Sequence, residues 1–332
     1  MRSSFIRRRV VAMPKVLITG IAGFIGSSIA HECAARGYDI RGIDNLSTGT
    51  IDNIADIEEI EFYKGSLADR RLLRELCKDV DVIFHQAALP SIPGSIEDPV
   101  TSHMTNVDGT LNLLIEARRR GVPRIVYAAS YSAYGVSETL PKSEKMRATP
   151  VSPYAIQKVA SEHYMQSFAT LYGIETVSLR YFNVFGPRRL ANSGVLTRFI
   201  TSMLSDRTPE IYGDGTQSRD FTYIDDVVAA NMLAASAPSE SVNGMIFNIA
   251  CGKAHTLLES YQIIADLLHF TRGPKFLPAR KGDFQHSRAD ISSAREHLGY
   301  EPRTNFRIGL ERAIDWYRDK RHRHIEQIAS AG

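Results

Sequence analysis

The chain has 332 residues, 43% hydrophobic and 23% charged, and no apolar run approaches the ~20 residues that cross a bilayer, so no segment reads as a membrane-spanning helix and one large or two modest folded domains are expected. The net charge of +3 misleads: residues 1–13 carry four arginines and no acid, and the remainder holds 36 basic against 37 acidic residues, a balance that gives no electrostatic reason to expect nucleic acid or an anionic membrane as partner. Cys33, Cys77 and Cys251 are odd in number, far apart and free of any CxxC or Cys/His ligand spacing, which points to reduced thiols, no structural metal and a cytoplasmic setting.

The head, "MRSSFIRRRVVAMP", is too short in apolar residues for an export signal and meets Pro14 and Lys15 at once. Residues 1–13 are expected to be a disordered extension, with Met13 as an alternative start. From there strands and helices alternate. "KVLIT" (15–19) is a strand, and "FIGSSIAHECAARG" is a helix ending at Gly37. "YDIRGID", "IEFYKG", "DVIFHQA", "RIVYAAS" and "TVSLRYF" are further strands, with helical patterns near 69–78, 98–120 and 153–172 between them. "RRRG" at 118–121 places cations on a helix C-terminus and a glycine stop after it. Strands apolar on both faces, separated by helices, predict an α/β doubly wound parallel sheet over 14–182. After residue 182 turn signals increase, and helices near 194–205, 225–236, 257–268 and 307–320 predict a smaller C-terminal α/β lobe over 183–332 that binds substrate, whose strands can interleave with the first domain.

"ITGIAGFIG" sets Gly20, Gly23 and Gly26 between the first strand and its helix. Glycines there let backbone approach a pyrophosphate while the helix N-terminus supplies N–H groups and partial positive charge, the arrangement of a Rossmann sheet. A bare glycine triplet also suits an ordinary turn, but the second strand ends in Asp44, 18 residues after Gly26. A carboxylate there accepts bonds from an adenosine ribose and repels a 2′-phosphate, which favours NAD over NADP.

"AASYSAYG" (128–135) closes a buried strand with hydroxyls, and "SPYAIQKVASEHY" opens a helix at Pro153 with Tyr154 and Lys158 on one face. The spacing alone also fits a surface Tyr and Lys on an amphipathic helix. As a base near neutrality, a tyrosine of pKa ~10 needs lowering by ~3 units, ~4 kcal/mol, which a nearby ammonium is one way to supply. Ser130 would then hold the same substrate hydroxyl.

"TGIAGFIG", "DNLSTG", "HQAAL", "NVDGT", "SPYAIQK", "RYFNVFGPR", "YGDGTQSRDFTYIDDVV" and "PARKGDFQHSRADI", in that order over residues 14 to 318, resemble the extended short-chain dehydrogenases/reductases. Within them the chain is most similar to the 4-epimerases of UDP-glucose and UDP-N-acetylglucosamine. The resemblance implies Tyr154 as acid/base, Lys158 on the nicotinamide ribose and lowering the Tyr154 pKa, and Ser130 on the reacting hydroxyl. It implies an NAD site of Gly20, Gly23, Phe24, Ile25, Gly26, Asp44, Asn45, Ser47, Thr48, Gly49, Ser66, Leu67, Gln86, Ala87, Ala88, Asn106, Tyr154, Lys158 and Tyr181. For the UDP-sugar it implies Ser91, Ser130, Ser132, Asn183, Val195, Tyr212, Arg219, Arg280, Asp283 and Ser287, with Asn183, Arg219 and Arg280 on the diphosphate, Asp283 on the uridine ribose, and Val195 and Tyr212 at the uracil. Ser287 falls where a bulky aromatic would exclude N-acetylated sugars, so UDP-GlcNAc and UDP-GalNAc are expected to be accepted beside UDP-Glc and UDP-Gal. A homodimer packed through helices near 98–118 and 153–172 is also implied.

The chain departs from the pattern at Ser66, often Asp; at Gly94, commonly arginine; in the loop "LANSGV", which is shortened; and at Tyr131, which breaks a serine-rich run beside Ser130. A 4,6-dehydratase uses Asp-Glu after the catalytic hydroxyl, where this chain has Tyr131-Ser132. A uronate-type epimerase or decarboxylase, another NAD-dependent nucleotide-sugar oxidoreductase that releases NADH, and a non-catalytic NAD-binding regulator stay open as rivals, although a regulator typically loses the Tyr or Lys that this chain keeps.

Overall fold

The computed structural model describes residues 13–190, 193–279 and 285–330, with side chains as far as residue 320. Its strands are β1 (Lys15–Thr19), β2 (Asp39–Asp44), β3 (Ile60–Lys64), β4 (Val82–His85), β5 (Arg124–Ser130), β6 (Glu175–Tyr181), β7 (Val184–Phe185), β8 (Glu210–Tyr212), β9 (Ser218–Asp220), β10 (Thr222–Tyr223), β11 (Met245–Ile249), β12 (Ala254–Thr256) and β13 (Lys275–Leu277). One seven-stranded sheet runs β11-β6-β5-β4-β1-β2-β3, every pairing parallel. The doubly wound parallel sheet expected from the sequence is therefore present. The other strands form three two-stranded pairs: β10 with β7, β12 with β9, and β13 with β8.

The helices are α1 (Phe24–Ala35), α2 (Arg70–Leu76), α3 (Ile92–Glu97), α4 (Pro99–His103), α5 (Gly109–Arg120), α6 (Pro153–Tyr172), α7 (Val195–Leu204), α8 (Ile224–Ser236), α9 (Ser239–Val242), α10 (Leu257–Leu268), α11 (Ser292–Leu298) and α12 (Phe306–Ser330). The helix expected over 98–120 is present, with a change of hydrogen-bond pattern inside it. A π-turn, Met104–Asp108, separates α4 from α5, and the Asn106 carbonyl there accepts from the Thr110 hydroxyl (2.7 Å) and the Ser161 hydroxyl (3.0 Å). The strand β11, from the second half of the sequence, completes the edge of the first domain's sheet beside β6.

Burial follows the period of two along each strand. Val16 and Ile18 of β1 face the core under α1 and α8, with Ile29, Cys33 and Val227; Leu17 faces the opposite core, with Leu73, Leu113 and Met165 of α2, α5 and α6. In β5, Val126 and Ala128 lie on the first side and Ile125, Tyr127 and Ala129 on the second.

Helix α6 holds Tyr154 and Lys158, and its placement is over-determined. Ser152 caps it by accepting from Ala155 N (3.2 Å), Pro153 starts it, and Gly173 ends it at φ 70°. Midway, Glu162 forms a two-pronged pair with Arg180 of β6 at 2.9 and 2.8 Å, both side chains at least 95% buried. The Arg180 guanidinium also lies 4.7 Å from the Tyr134 ring centroid. Removing one partner leaves a buried, uncompensated charge. Glu162→Ala is therefore expected to cost about 3–5 kcal/mol, whereas Glu32→Ala, which breaks the exposed Arg36 pair, should cost about 0.5 kcal/mol or less. Urea unfolding of the two variants checks this; equal midpoints would refute it.

Candidate active site

The site lies at the carboxyl ends of β1, β2, β4, β5 and β6, where a parallel sheet opens a crevice between loops running to opposite faces. At the first of these ends the chain turns at Gly20 (φ 69°). A Cβ there would lie 2.8 Å from the Ala87 backbone, one on Gly49 would lie 2.7 Å from the Ala22 carbonyl, and one on Gly26 would collide with the Gly20 carbonyl oxygen. Three loops thus converge with no room for side chains. The first turn of α1, with Phe24, Ile25 and Gly26, has no side-chain cap, so its N–H groups face this cradle. Asp44 accepts from Ala22 N (3.0 Å) and Leu46 N (2.8 Å), and its carboxylate keeps further lone pairs for a ribose. Burial raises the Asp44 pKa, and those two N–H bonds oppose the rise. Asn45, Ser47 and Thr48 form the exposed loop that Gly49 closes. Ser66 is exposed beside buried Leu67, and its hydroxyl accepts from Ala68 N (3.2 Å).

After β4, Ala87 N donates to the Thr19 hydroxyl (3.2 Å), and Ala88 follows. The Gln86 amide and the Tyr181 hydroxyl both donate to the Asn231 carbonyl oxygen, at 3.2 and 3.0 Å. Asn106 is engaged within the protein: its carboxamide accepts from Leu89 N (2.8 Å) and donates to Gln157 Oε1 (2.8 Å), and it is 2% exposed. It ties the loop after β4, at Leu89, to Gln157 of α6.

Ser130 ends β5, and Tyr154 and Lys158 stand on consecutive turns of α6. The Ser130 hydroxyl lies beside the Tyr154 phenol, close enough to favour its ionised form, and accepts from the Ser132 hydroxyl at 2.9 Å. Lys158 Nζ donates to the Ala128 carbonyl at 2.7 Å and lies 5.9 Å from the Tyr154 ring centroid. The structure brings these four residues together. The expected lowering of the Tyr154 pKa is absent in the protein alone. Burial pushes that phenol up to about 12, the nearby Ser130 hydroxyl opposing and Tyr131 adding to the rise. Burial lowers Lys158 to about 8, with Glu162 opposing.

On the far side, Asn183 (φ 35°) donates to the Asp220 carbonyl and the Ser287 hydroxyl, both at 3.3 Å, so these substrate-side residues meet. Arg219 is buried, with Nη1 on the Ser218 carbonyl at 2.9 Å. Ser91 is exposed and caps α3 by accepting from Gly94 N (3.0 Å). Val195 is the first residue of α7, and Tyr212 faces a cavity of about 800 Å³ bounded by α7, β8 and α12, which Ser130 and Tyr154 do not line. Arg280 and Asp283 lie outside the described residues.

A model of the NAD dependent epimerase/dehydratase family matches residues 16–250. The chain belongs to that family. It is 36% identical to a UDP-glucose 4-epimerase of Mycolicibacterium smegmatis over 313 residues, 92% of this chain and 99% of the relative. Its structure is similar to that of a UDP-N-acetylglucosamine 4-epimerase from Methanobrevibacter ruminantium M1 in complex with UDP-N-acetylmuramic acid, with TM-score 0.89, 37% identity, and 93% and 99% of the two chains covered. It is also similar to a UDP-glucose 4-epimerase with UDP-glucose from Thermotoga maritima, with TM-score 0.88, 33% identity, and 92% and 99% covered.

The cofactor of an NAD-dependent epimerase fits this chain: the glycine cradle is the space that side chains would fill, and uncapped N–H groups and Asp44 face it. Sequence reasoning missed two residues here. Asn231, inside α8, joins Gln86 to Tyr181, and nothing in its local sequence sets it apart from a surface helix residue. Arg189 was hidden by its neighbour in "GPRR", yet its guanidinium lies 5.7 Å from the ring centroid of Phe24 at the cradle. Among the described residues, no group of three or more His, Cys, Asp or Glu side chains could hold a metal ion, and no helix is long and apolar enough to cross a membrane.

Lys158 is charged below about pH 8 in the fold but below 10.5 when unfolded, so its burial costs stability at neutral pH, and the cost is relieved as pH rises from about 8 towards 10.5. Lys158→Met is expected to stabilise the cofactor-free epimerase at pH 7 by about 1–3 kcal/mol, the gain shrinking at pH 9.5. Urea unfolding at both pH values measures it, and a destabilised variant at pH 7 would contradict the buried-charge account.

Proposed function

We propose that the protein interconverts the C4 epimers of a UDP-hexose, UDP-glucose with UDP-galactose and UDP-N-acetylglucosamine with UDP-N-acetylgalactosamine. The observation that carries this reading is Tyr154 of α6 held beside Ser130 at the end of β5, next to the glycine cradle, with Lys158 one helical turn behind and its Nζ on the Ala128 carbonyl two residues before Ser130. Tyr154 takes the proton of the C4 hydroxyl while Ser130 holds that oxygen; the C4 hydrogen leaves with its electron pair and a 4-keto sugar results. Bound NAD supplies the acceptor for that hydride and returns it. The keto sugar turns over, receives the hydride on its other face, and Tyr154 gives the proton back, so there is no net oxidation.

Tyr154 must ionise for this, and burial opposes it. Lys158 supplies the positive charge nearest the phenol, although its Nζ is spent on the Ala128 carbonyl in the protein alone; its reach to a nicotinamide ribose is part of the proposal. Asn183, Arg219, Arg280 and Asp283 grip the UDP as a fixed handle while the hexose stays loose enough to rotate. Ser287 supports acceptance of an acetamido group: it is small, buried and held by Asn183, so no ring narrows the pocket there. Cys33, Cys77 and Cys251 are free thiols, which suits work in the cytoplasm.

NMR of the purified protein incubated with UDP-glucose, and separately with UDP-N-acetylglucosamine, should show both 4-epimers without net NADH. Tyr154→Phe should lower kcat by roughly 10²–10⁴-fold and leave UDP binding unchanged. Activity on UDP-glucose alone would sink the wider sugar range, and full activity in Tyr154→Phe would sink the mechanism.

The homodimer belongs to the same proposal. Ile96, Val100 and Met104 follow one another at four-residue spacing and are exposed, as are Ile156, Tyr164 and Leu171 on one face of α6. Apolar surface of this extent on adjacent helices suits a second copy of the chain. Light scattering should give a dimer mass for the wild type and a monomer for Val100→Glu/Ile156→Glu; an unchanged mass would place any interface elsewhere.

A further inference from the structure

We propose that Asp220 is a positioning residue for the substrate: its buried carboxylate helps assemble the wall that carries Asn183, Arg219 and Ser287 out of four separate chain segments, and a UDP-sugar is gripped well only while that carboxylate is ionised. This rests on the UDP-hexose reading above and adds to it a residue that water does not reach.

Asp220 ends β9 and is 0% exposed. Its Oδ1 accepts from Cys251 N at 2.9 Å and its Oδ2 from Ala289 N at 3.1 Å. Its carbonyl accepts from the Asn183 amide and its N–H donates to the Ser287 hydroxyl, both at 3.3 Å. One residue thus joins β9 to the link after β6, the link after β11 and the segment 287–289. Asn183 also donates to the Ser287 hydroxyl, so Asn183, Asp220 and Ser287 close a triangle. Asn183 has φ 35°, outside the ordinary preference of a non-glycine residue, so these bonds hold its backbone where local preference would not. Arg219 precedes Asp220 in β9, opposite His255 of β12.

The carboxylate cannot be replaced by its own acid form. Ionised, it offers two acceptor oxygens to two N–H groups. Protonated, or exchanged for an amide, it turns one of them into a donor facing an N–H. Either Cys251 or Ala289 must then part from it. Ala289 is two residues from Ser287, so its release disturbs the substrate wall directly.

Burial pushes Asp220 up to about 6, with the N–H groups of Ala289, Cys251 and Gly252 and the charge of Arg288 opposing. Its ordinary value is 3.8, so ionised Asp220 costs the empty fold stability at neutral pH, a cost relieved as pH falls from about 6 towards 3.8. Keeping a carboxylate there at that cost fits a site that needs it. Around it, Cys251 and Tyr300 are pushed up by burial, with the Asp220 charge adding, so neither loses its proton in the acid range. Asp226 of α8 acts on the same thiol and phenol, and Lys253 on the thiol. The remaining neighbours are Arg219, His255 and His286, whose Nδ1 lies 2.9 Å from the Ser218 hydroxyl. Protonating either histidine adds positive charge beside a diphosphate and strengthens its binding. Protonating Asp220 weakens it, so the two effects have opposite signs.

The test is calorimetric binding of UDP-glucose to the NAD-loaded protein across the range from about pH 5 to about pH 8. UDP-glucose is the probe because its phosphates are both diesters, whereas the terminal phosphate of UDP titrates near ~6. Wild type should bind roughly five- to tenfold more weakly at about pH 5 than at about pH 7. Asp220→Asn should bind roughly tenfold more weakly than wild type at about pH 7 and lose that acid-side weakening. Its KM should rise while kcat at saturation changes less than about threefold, and retained NAD absorbance shows that the variant is folded. If the variant fails to fold, the wild-type profile decides alone. A wild-type profile that is flat or tightens in acid, or Asp220→Asn binding like wild type, would overturn the proposal. Wild type that binds no UDP-glucose at any pH would instead remove the UDP-hexose reading itself.

Discussion

The bond from Lys158 Nζ to the Ala128 carbonyl fixes helix α6 against the end of strand β5, and the catalytic geometry depends on that register. Ala128 lies two residues before Ser130, and Tyr154 lies one helical turn before Lys158. Pinning the ammonium to the strand therefore sets the phenol opposite the serine. One turn further on, the Glu162–Arg180 pair ties the same helix face to β6. Ala155, Gln157, Lys158, Ser161, Glu162, Met165 and Phe168 form the buried face of α6, and four of these seven are polar. An apolar stripe would pack as well but would tolerate sliding; hydrogen-bonded polar groups allow one register.

The fold bears a charge burden for this. Lys158, Arg180 and Arg219 are buried near the crevice, and Arg180 is paired with the buried Glu162 carboxylate. The protein alone is thus poorly balanced, with Lys158 pulled down to about 8 and Tyr154 pushed up to about 12. In the proposed function the diphosphates of cofactor and substrate bring negative charge to this crevice, and stability given up in the empty protein would reappear as ligand affinity.

Much of this was legible in the sequence because it follows from backbone constraints. Gly20 and Gly26 must be glycine where loops touch, Asp44 must end the second strand, and Tyr154 and Lys158 must be one turn apart. Local pattern did not reveal what depends on distant packing. Within the π-turn at Met104–Asp108 the Asn106 carbonyl accepts from Ser161 of another helix, a long-range contact that no local pattern encodes. The place of β11 in the main sheet is a long-range pairing with β6 that no local periodicity encodes. Asn231 and Arg189 matter through partners far from them in sequence, and in a single sequence each resembles an ordinary surface residue. The expectation that Lys158 lowers the Tyr154 pKa failed for the protein alone because i, i+4 spacing places two side chains on one face without saying which atom the ammonium bonds.

The two ends of the crevice are built differently. The cofactor end is set by strand termini and glycine contacts, where one added methyl group collides with backbone, so it admits little change. The sugar end is set by the segments after β5 and β7: the Ser130–Tyr134 turn and the start of α7. Loop backbone tolerates insertion, deletion and side-chain exchange without disturbing the sheet. The proposed chemistry at C4 draws on Ser130, Tyr154 and Lys158, which the sheet and α6 hold. In that proposal the rest of the hexose meets loops, so sugar preference could shift at Tyr131 and Ser287 while the register of α6 against β5 stays fixed.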